Sequence, residues 1–244
     1  MDLSGKVAVI TGASQGLGAG LARVALERGM SVALCSRSAP TFMEGERVLC
    51  STFDVRDAGD MEAFAGAAFE RFGQVDLWVN NAGLLEPVGP LRDVQGEALR
   101  ELFDVNILGV ALGSQAYIRM LHAHDRTGIL MNISSGAARN AYFGWSGYCA
   151  SKAAVDRMSE VIAIEEEERL RVYSIAPGVI ETRMQESIRA TDSEIFRDVA
   201  RFRKLKDSGS LQTPEQAADK LLRIAFDPHA SIGVCVDVRN MRKG

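Results

Sequence analysis

Short apolar runs alternate with longer amphipathic stretches along almost the whole chain. The apolar runs contain few polar positions, which is typical of strands that are buried on both faces. We expect strands at residues 7–10, 31–35, 47–53, 75–79, 128–133, 171–175 and 233–236. The stretches between them have helical character, and we expect helices at residues 17–28, 58–72, 97–122, 148–167 and 214–226.

This order of elements predicts an α/β fold, a Rossmann-like doubly wound parallel sheet with helices on both faces. The chain has neither an internal repeat nor a linker rich in proline, glycine and serine, so we expect residues 1–244 to form a single domain. Residues 182–210 interrupt the alternation with a charged segment of helical character that follows the end of a strand. Ligands of such folds bind at that edge of the sheet, and we therefore expect this segment to be a substrate lid.

Composition narrows the possible partners. The net charge of −4 leaves no basic excess, which argues against nucleic acid as a partner. The four cysteines are scattered without a C-x-x-C pair, which argues against a disulfide framework and a metal site. No apolar run is long enough to span a bilayer and no signal peptide is evident, so we expect a cytoplasmic protein without a membrane partner.

A glycine-rich turn follows the first predicted strand. Gly12 permits a tight turn, Gly16 lets the backbone approach a pyrophosphate, and Gly18 lets helix and strand pack closely. The next helix would direct its free N–H groups and positive dipole end at the phosphates. We therefore predict a dinucleotide site in this turn, whose other members are Ser14, Gln15 and Leu17.

The ends of the second and third strands carry the residues that would meet the adenosine. Ser36 and Arg37 follow the second strand, where an arginine suits the 2′-phosphate of NADP and an acidic residue would suit NAD. The alternative is that Arg37 is an ordinary surface arginine. Asp54 and Val55 end the third strand, where the carboxylate either accepts from the adenine amino group or simply forms a turn.

Two further segments bring polar side chains to the same edge. Asn81, Ala82 and Gly83 follow the fourth strand and would leave room for the cofactor, although the segment also reads as a turn. Tyr148 and Lys152 stand one helical turn apart in the helix predicted after the fifth strand. A lysine ammonium there can stabilise the phenolate, whereas the alternative is a core tyrosine beside a surface lysine.

These residues together resemble the short-chain dehydrogenase/reductase family across essentially the whole chain. The matching elements are the glycine pattern ending at Gly18, the turn at Asn81, Asn106, Ser135, the pair Tyr148 and Lys152, and Pro177-Gly178 with Thr182. The resemblance implies an oxidoreductase that uses NADP(H). Tyr148 would donate the proton, Ser135 would bind the substrate oxygen, and Lys152 would hold the nicotinamide ribose and favour the tyrosinate.

The resemblance also assigns further residues. Asn106 would hold a water that relays protons to Lys152. The carboxamide end of the cofactor would be held by Pro177, Gly178, Val179, Ile180 and Thr182. A homodimer or homotetramer is implied, with the helices at 97–122 and 148–167 forming the subunit contact.

A closer resemblance is to sepiapterin reductases and bacterial benzil reductases. The segments that carry it are 143–152, 176–185, 204–211 and 233–237. It implies a ketone or diketone substrate contacted by Ser135, Tyr148, Gly178 and Asp237. Gln15 departs from the Arg or Lys of many NADP-using relatives, so the phosphate preference depends mainly on Ser36 and Arg37.

Three questions stay open from the sequence. The substrate is either of the sepiapterin/benzil type or a 3-oxoacyl thioester, sugar or alcohol, and a non-catalytic dinucleotide sensor is the remote alternative. The aromatic residues Tyr142, Phe143 and Trp145 either line the substrate pocket or pack the loop before Tyr148. The sequence alone leaves dimer and tetramer equally open.

Overall fold

The computed structural model describes residues 1–40, 45–227 and 233–240. Within these residues, seven parallel strands form one sheet in the order β3-β2-β1-β4-β5-β6-β7. The strands are β1 Val7–Thr11, β2 Ser31–Ser36, β3 Val48–Thr52, β4 Leu77–Asn80, β5 Gly128–Ile133, β6 Leu170–Ala176 and β7 Cys235–Asp237. The predicted Rossmann-like sheet is confirmed.

The strand order creates a crevice at the middle of the sheet. From β1 the chain proceeds outward through β2 and β3, and then returns to place β4 on the other side of β1. The connections after β1 and β4 therefore run in opposite directions, which opens a space at the carboxyl ends of these two strands. Ligands of doubly wound sheets bind at this switch point.

The described part of the chain contains eight α-helices. They are α1 Gly16–Glu27, α2 Ala58–Phe72, α3 Gly96–Phe103, α4 Gly109–Ala123, α5 Ser146–Glu165, α6 Arg183–Ala190, α7 Val199–Asp207 and α8 Pro214–Phe226. None of these helices has the length and apolarity that a membrane span requires.

The apolar strands bury side chains on both faces of the sheet. In β1, Ala8 and Ile10 belong to the core under α1 and α8, whereas Val7 and Val9 belong to the core under α2 and α4. Since successive side chains of a strand point to opposite faces, a strand covered on both sides must be apolar throughout. This is why the strands lack polar alternation.

The prediction of one regular helix at residues 97–122 is wrong. A π-helical turn at Asp104–Leu108 separates α3 from α4. Asn106 lies in this turn, where its Oδ1 accepts from the Leu84 N–H at 2.7 Å and its Nδ2 donates to the Leu84 carbonyl at 2.8 Å. We attribute the extra residue of the turn to this inward, buried position of the amide. Single π turns of this kind are frequent at functional sites.

Buried polar side chains connect the centre of the sheet to two helices. Asn80 on β4 donates to Asn132 on β5 at 2.8 Å and to Ser114 on α4 at 3.1 Å. Asn132 in turn donates to Ser159 on α5 at 2.9 Å. Because unpaired polar groups are costly in a core, this network holds α4 and α5 at fixed positions over the sheet.

Candidate active site

A cavity of about 410 Å³ lies at the carboxyl edge of the sheet, at the switch point. It extends from the end of β2, past the ends of β1 and β4, to the segment 182–210. Most of the residues proposed from the sequence line it; those that do not are Gly18, Asn106 and Asp237. The tertiary structure thus brings together side chains from most of the chain.

The glycine-rich turn lies on one wall of the cavity. Gly12 and Gly16 have φ angles of +66° and +57°, a conformation that glycine adopts without strain. A Cβ on Gly18 would lie only 2.4 Å from the Gly12 carbonyl oxygen, so this position requires glycine for packing. Gly18 therefore shapes the turn from behind without lining the cavity.

The N-terminus of α1 fits an anionic cofactor. Its N-cap residue, Gln15, makes no side-chain capping bond, and the first turn carries no acidic residue. The first N–H groups of the helix are thus left without side-chain partners at the cavity wall, where the helix dipole favours negative charge. Together with the glycine turn, this arrangement suits a dinucleotide pyrophosphate.

Asn81 braces the two loops that enclose the switch point. Its Nδ2 donates to the carbonyl oxygens of Thr11 and Gly12 at 2.9 and 3.2 Å. The Thr11 hydroxyl oxygen accepts in return from the backbone N–H groups of Asn81 and Ala82, at 3.0 and 3.1 Å. These four bonds set the width of the cavity between β1 and β4.

The far end of the cavity is polar and partly exposed. The Arg37 side chain is 57% exposed, and its nearest ion-pair partner, Glu101, is 3.9 Å away. Asp54 accepts from Arg56 at 2.9 and 2.6 Å, and this bond holds the pKa of Asp54 below its ordinary value. Arg37 is therefore the more loosely held cation of this end.

Tyr148 and Ser135 form the polar centre of the cavity. Tyr148 comes from the first turn of α5, and burial raises its pKa to about 12, although a hydrogen bond with Ser135 opposes the rise. The Ser135 hydroxyl oxygen also accepts from the Ala137 N–H at 3.2 Å. In the chain alone, Tyr148 is therefore a protonated phenol at neutral pH.

Lys152 lies one helical turn after Tyr148 and is buried. Its Nζ donates to the Ile133 carbonyl at 2.8 Å and lies 5.8 Å from the centre of the Tyr148 ring. Burial lowers the pKa of Lys152 to about 8. Since a desolvated ammonium is costly, the lysine is poised to lose or share its charge close to neutral pH.

Asn106 acts on this centre from outside the cavity wall. Besides its two bonds to Leu84, its Nδ2 donates to the Ser151 hydroxyl at 3.1 Å. A Cβ on Gly83, next to Leu84, would lie 3.3 Å from Asn106 Oδ1 and 3.6 Å from Lys152 Nζ. The amide therefore positions the loop after β4 beside Lys152.

The segment after β6 covers the glycine turn. Gly178 has a φ angle of +87°, and the chain continues past Ile180 to Thr182, the N-cap of α6. A Cβ on Gly16 would lie 3.3 Å from the Thr182 methyl carbon. The start of the segment 182–210 thus lies directly over the proposed pyrophosphate position.

An aromatic cluster forms the wall opposite the glycine turn. Trp145 stacks on Phe196 with ring centres 4.4 Å apart, and Tyr142 and Phe202 lie 5.0 and 5.7 Å from Trp145. Tyr142 and Trp145 line the cavity and pack the loop as well, so both interpretations of these residues hold. Phe143 instead packs under Arg197, at 4.1 Å.

The sequence pattern does not predict the partners of Trp145 in this cluster. Phe196 and Phe202 come from the segment 182–210, more than forty residues after Trp145. Gln185 of α6 also lines the cavity, and its Oε1 is buried without a hydrogen-bond partner among the described residues. No local sequence signal joins these positions to the loop before α5.

Asp237 lies behind the cavity wall. Its carboxylate accepts from Arg239 Nε at 2.9 Å and from Nη2 at 2.6 Å. Arg239 itself lines the cavity, although the sequence reasoning did not identify it. The only sequence signal for it was an acid and a base two positions apart at the end of a predicted strand.

Comparison with known proteins agrees with this geometry. The family model described as short chain dehydrogenase matches residues 6–193. The chain is 32% identical to a benzil reductase ((S)-benzoin forming) of Bacillus subtilis, over 88% of this chain and 91% of that protein. It is 31% identical to an NADPH-dependent pterin aldehyde reductase of Arabidopsis thaliana, over 80% of this chain and 83% of that protein.

A solved structure shares the whole architecture. The crystal structure of the KRED1-Pglu enzyme superposes with a TM-score of 0.86 at 32% identity, and the match covers 95% of this chain and all of the other. The two chains thus share the fold over nearly their whole length.

Proposed function

Because the chain belongs to the short-chain dehydrogenase family, we propose that it is an NADPH-dependent carbonyl reductase acting on a ketone or diketone. The observation that carries this proposal is the position of Tyr148. It is a protonated phenol whose pKa burial raises and Ser135 lowers, on the wall of the cavity that the uncapped N-terminus of α1 also borders.

The chain's own residues account for the proton and the orientation. NADPH, when bound, supplies the hydride. Tyr148 Oη donates its proton to the substrate oxygen as negative charge develops there, and the Ser135 hydroxyl orients that oxygen and stabilises the charge. Lys152 then returns the tyrosine to its protonated state, because a desolvated ammonium with a pKa of about 8 gives up a proton readily.

The preference for NADPH is supported at the far end of the cavity. Ser36 ends β2 and Arg37 follows it, and the one ion pair of Arg37 among the described residues is with Glu101, at 3.9 Å. The described wall of the cavity offers Asp54 as its one carboxylate at this end, and Arg56 already holds it. We therefore favour NADPH because Arg37 can bind a 2′-phosphate, although Gln15 stands where many NADP-using relatives carry Arg or Lys.

The substrate class is supported by the aromatic wall. Rings at Tyr142, Trp145 and Phe202 suit a flat, aromatic substrate with its carbonyl at Tyr148. The benzil reductases among the relatives act on a substrate of this kind, an aromatic diketone. We therefore favour an aromatic ketone or diketone over an acyl thioester or a sugar as the substrate.

The proposal is tested by following the loss of NADPH absorbance with purified protein and a panel of benzil, sepiapterin, an acetoacetyl thioester and a simple aldehyde. We expect turnover of benzil or sepiapterin, and a near-complete loss in Tyr148→Phe with NADPH still bound. Tyr173→Phe is the matched control, since Tyr173 is buried in the core away from the cavity. Full activity of Tyr148→Phe would contradict the mechanism.

We also propose that the protein is a homodimer or homotetramer. Ile164 on α5 is 74% exposed, and Val161 on α5 and Leu108 before α4 are exposed as well. Apolar side chains of this size on two neighbouring helices support a subunit contact there. Light scattering of Ile164→Glu should show a smaller assembly, whereas Leu91→Glu, on another surface, should keep the wild-type mass.

A further inference from the structure

Arg239 occupies a defined place beside the proposed catalytic serine. It follows β7, and its Nη2 lies 2.7 Å from the point that a Cβ on Gly136 would occupy. Gly136 is the residue directly after Ser135. The absence of a side chain at Gly136 leaves room for the guanidinium in this orientation, so the cation lies against the residue that follows Ser135 and lines the same cavity.

A buried carboxylate holds the guanidinium in one orientation. The Asp237 side chain is 7% exposed and binds Nε and Nη2 of Arg239, while the Arg239 side chain is 41% exposed. Asp237 also accepts from the Arg239 backbone N–H at 3.0 Å. A guanidinium has five N–H donors, and those on Nη1 have no acceptor among the described residues. The free edge of the fork is thus available to a ligand.

The charge around the cavity favours an anionic ligand at this place. The described wall carries five cationic side chains, Arg37, Lys152, Arg183, Arg201 and Arg239. Its one carboxylate is Asp54, at the adenosine end, where Arg56 neutralises it. Arg183 and Arg201, on α6 and α7, have no ion pair within the described ranges. At the substrate end of the cavity, Arg239 is therefore paired with Asp237 behind the wall, whereas Arg183 and Arg201 have no paired acid within the described ranges.

We propose that Arg239 binds a carboxylate of the substrate, and that the substrate is an aromatic 2-oxo acid. This inference rests on the carbonyl reductase function proposed above. The acid is bonded directly to the reacting carbonyl, which matches the position of Arg239 against Gly136, the residue after Ser135. The aromatic part would pack on Trp145 and its neighbours. Asp237 is then a positioning residue that orients Arg239.

The reaction balances with the groups already named. The carbonyl carbon gains a hydride, and the carbonyl oxygen takes the electron pair of the C=O π bond and the proton of Tyr148. The product is a 2-hydroxy acid, and NADPH is oxidised to NADP⁺. The carboxylate keeps its charge throughout, so Arg239 holds substrate and product alike. The Arg239 guanidinium would bind the carboxylate through charge-assisted hydrogen bonds.

The test compares benzoylformate with its methyl ester and with benzil. The ester removes the charge and keeps the phenyl ketone, and benzil replaces the carboxylate by a second benzoyl group. We expect the wild type to have at least a tenfold higher kcat/KM for the acid than for the ester. Arg239→Met should lower this acid-to-ester ratio at least tenfold, and Arg239→Lys, which keeps charge without the fork, should give an intermediate ratio.

Arg92→Met is the matched control, because Arg92 is exposed, pairs only with Asp93 and does not line the cavity. Its ratio should equal that of the wild type. Thermal melting and NADPH binding show whether each variant is folded. Turnover of benzil and ester without a preference for the acid, or an unchanged ratio in Arg239→Met, would overturn the inference and leave the carbonyl reductase standing.

Absence of turnover on all three compounds and on sepiapterin would instead contradict the proposed function. Calorimetry of benzoylformate with the NADPH-loaded protein then decides the anion site independently. Binding that Arg239→Met abolishes would support the site, and absence of binding in the wild type would overturn it.

Discussion

The two halves of the cavity are built in different ways. The cofactor half, at the ends of β1 to β4, consists mainly of backbone groups and small residues such as Gly12, Gly16 and Ala82. The substrate half, formed by the loop before α5, the segment 182–210 and Arg239, consists of large side chains. A site built from backbone accepts one conserved shape of ligand, whereas a site built from side chains can be altered without disturbing the fold. The first half is thus suited to holding a cofactor, and the second half to determining substrate specificity.

The pair Tyr148 and Lys152 lies where the halves meet, and its loss should have the largest effect. We expect Lys152→Met to lower kcat/KM by about 10²–10⁴-fold, because the proton donor loses its partner. Steady-state kinetics with benzil and NADPH measure this loss. A tenfold or smaller decrease would show that Lys152 does not serve the reaction.

The same variant has a second readout in its stability. Burial lowers the pKa of Lys152 from its ordinary 10.5 to about 8, so between these pH values the unfolded chain binds a proton that the folded chain does not. Stability of the wild type should therefore rise by about 3 kcal/mol from pH 8 to pH 10.5 through this residue. Urea unfolding across this range should show a smaller rise in Lys152→Met, and equal slopes would contradict the burial of a lysine charge.

A substitution in the aromatic cluster should affect the substrate half of the cavity alone. Trp145→Ala removes the ring stacked on Phe196 and should lower the free energy of unfolding by about 3–5 kcal/mol. The KM for benzil should rise while the dissociation constant for NADPH stays the same, as fluorescence titration can show. Trp145→Phe is the control, since it keeps a ring and its lost Nε1 has no partner among the described residues. A weaker NADPH complex in Trp145→Ala would show that the halves are coupled.

A substitution in the glycine turn should instead affect the cofactor half of the cavity. Gly18→Ala introduces a Cβ 2.4 Å from the Gly12 carbonyl oxygen and should cost about 1–3 kcal/mol of stability. NADPH should bind at least tenfold more weakly, because the turn must move. Gly66→Ala is the matched control, since a Cβ there meets nothing within 4 Å in the middle of α2. This control should gain up to about 1 kcal/mol in urea unfolding.

Arg37 should give the smallest effect. Arg37→Ala should weaken NADPH binding by about 1–3 kcal/mol and leave NADH binding nearly unchanged, because only NADPH has a 2′-phosphate. Binding of both cofactors by fluorescence measures the difference, with Arg157→Ala as a surface control. An equal loss for the two cofactors would show that Arg37 does not contact the phosphate.

The elements near the cofactor half were largely predictable from sequence. Gly12 and Asn81 each follow a strand directly, Gly16 begins the helix after β1, and parallel strands bring their carboxyl ends to one edge. Tyr148 and Lys152 were predictable because i,i+4 spacing places them on one face of a helix. The π turn at Asp104–Leu108 was not, since it depends on where the Asn106 amide finds the Leu84 backbone.

Alternating apolar strands and helices, with small and polar residues at the strand ends, were therefore enough to predict the sheet and most of the residues that line the cavity at its switch point. Local patterns decide these features because they depend on spacing along the chain. Only the tertiary structure could show that Arg239 lies against Gly136, that Asp237 is held behind it, and that Phe196 stacks on Trp145. Such contacts join residues far apart in the chain, and their partners are selected by packing, which no local pattern encodes.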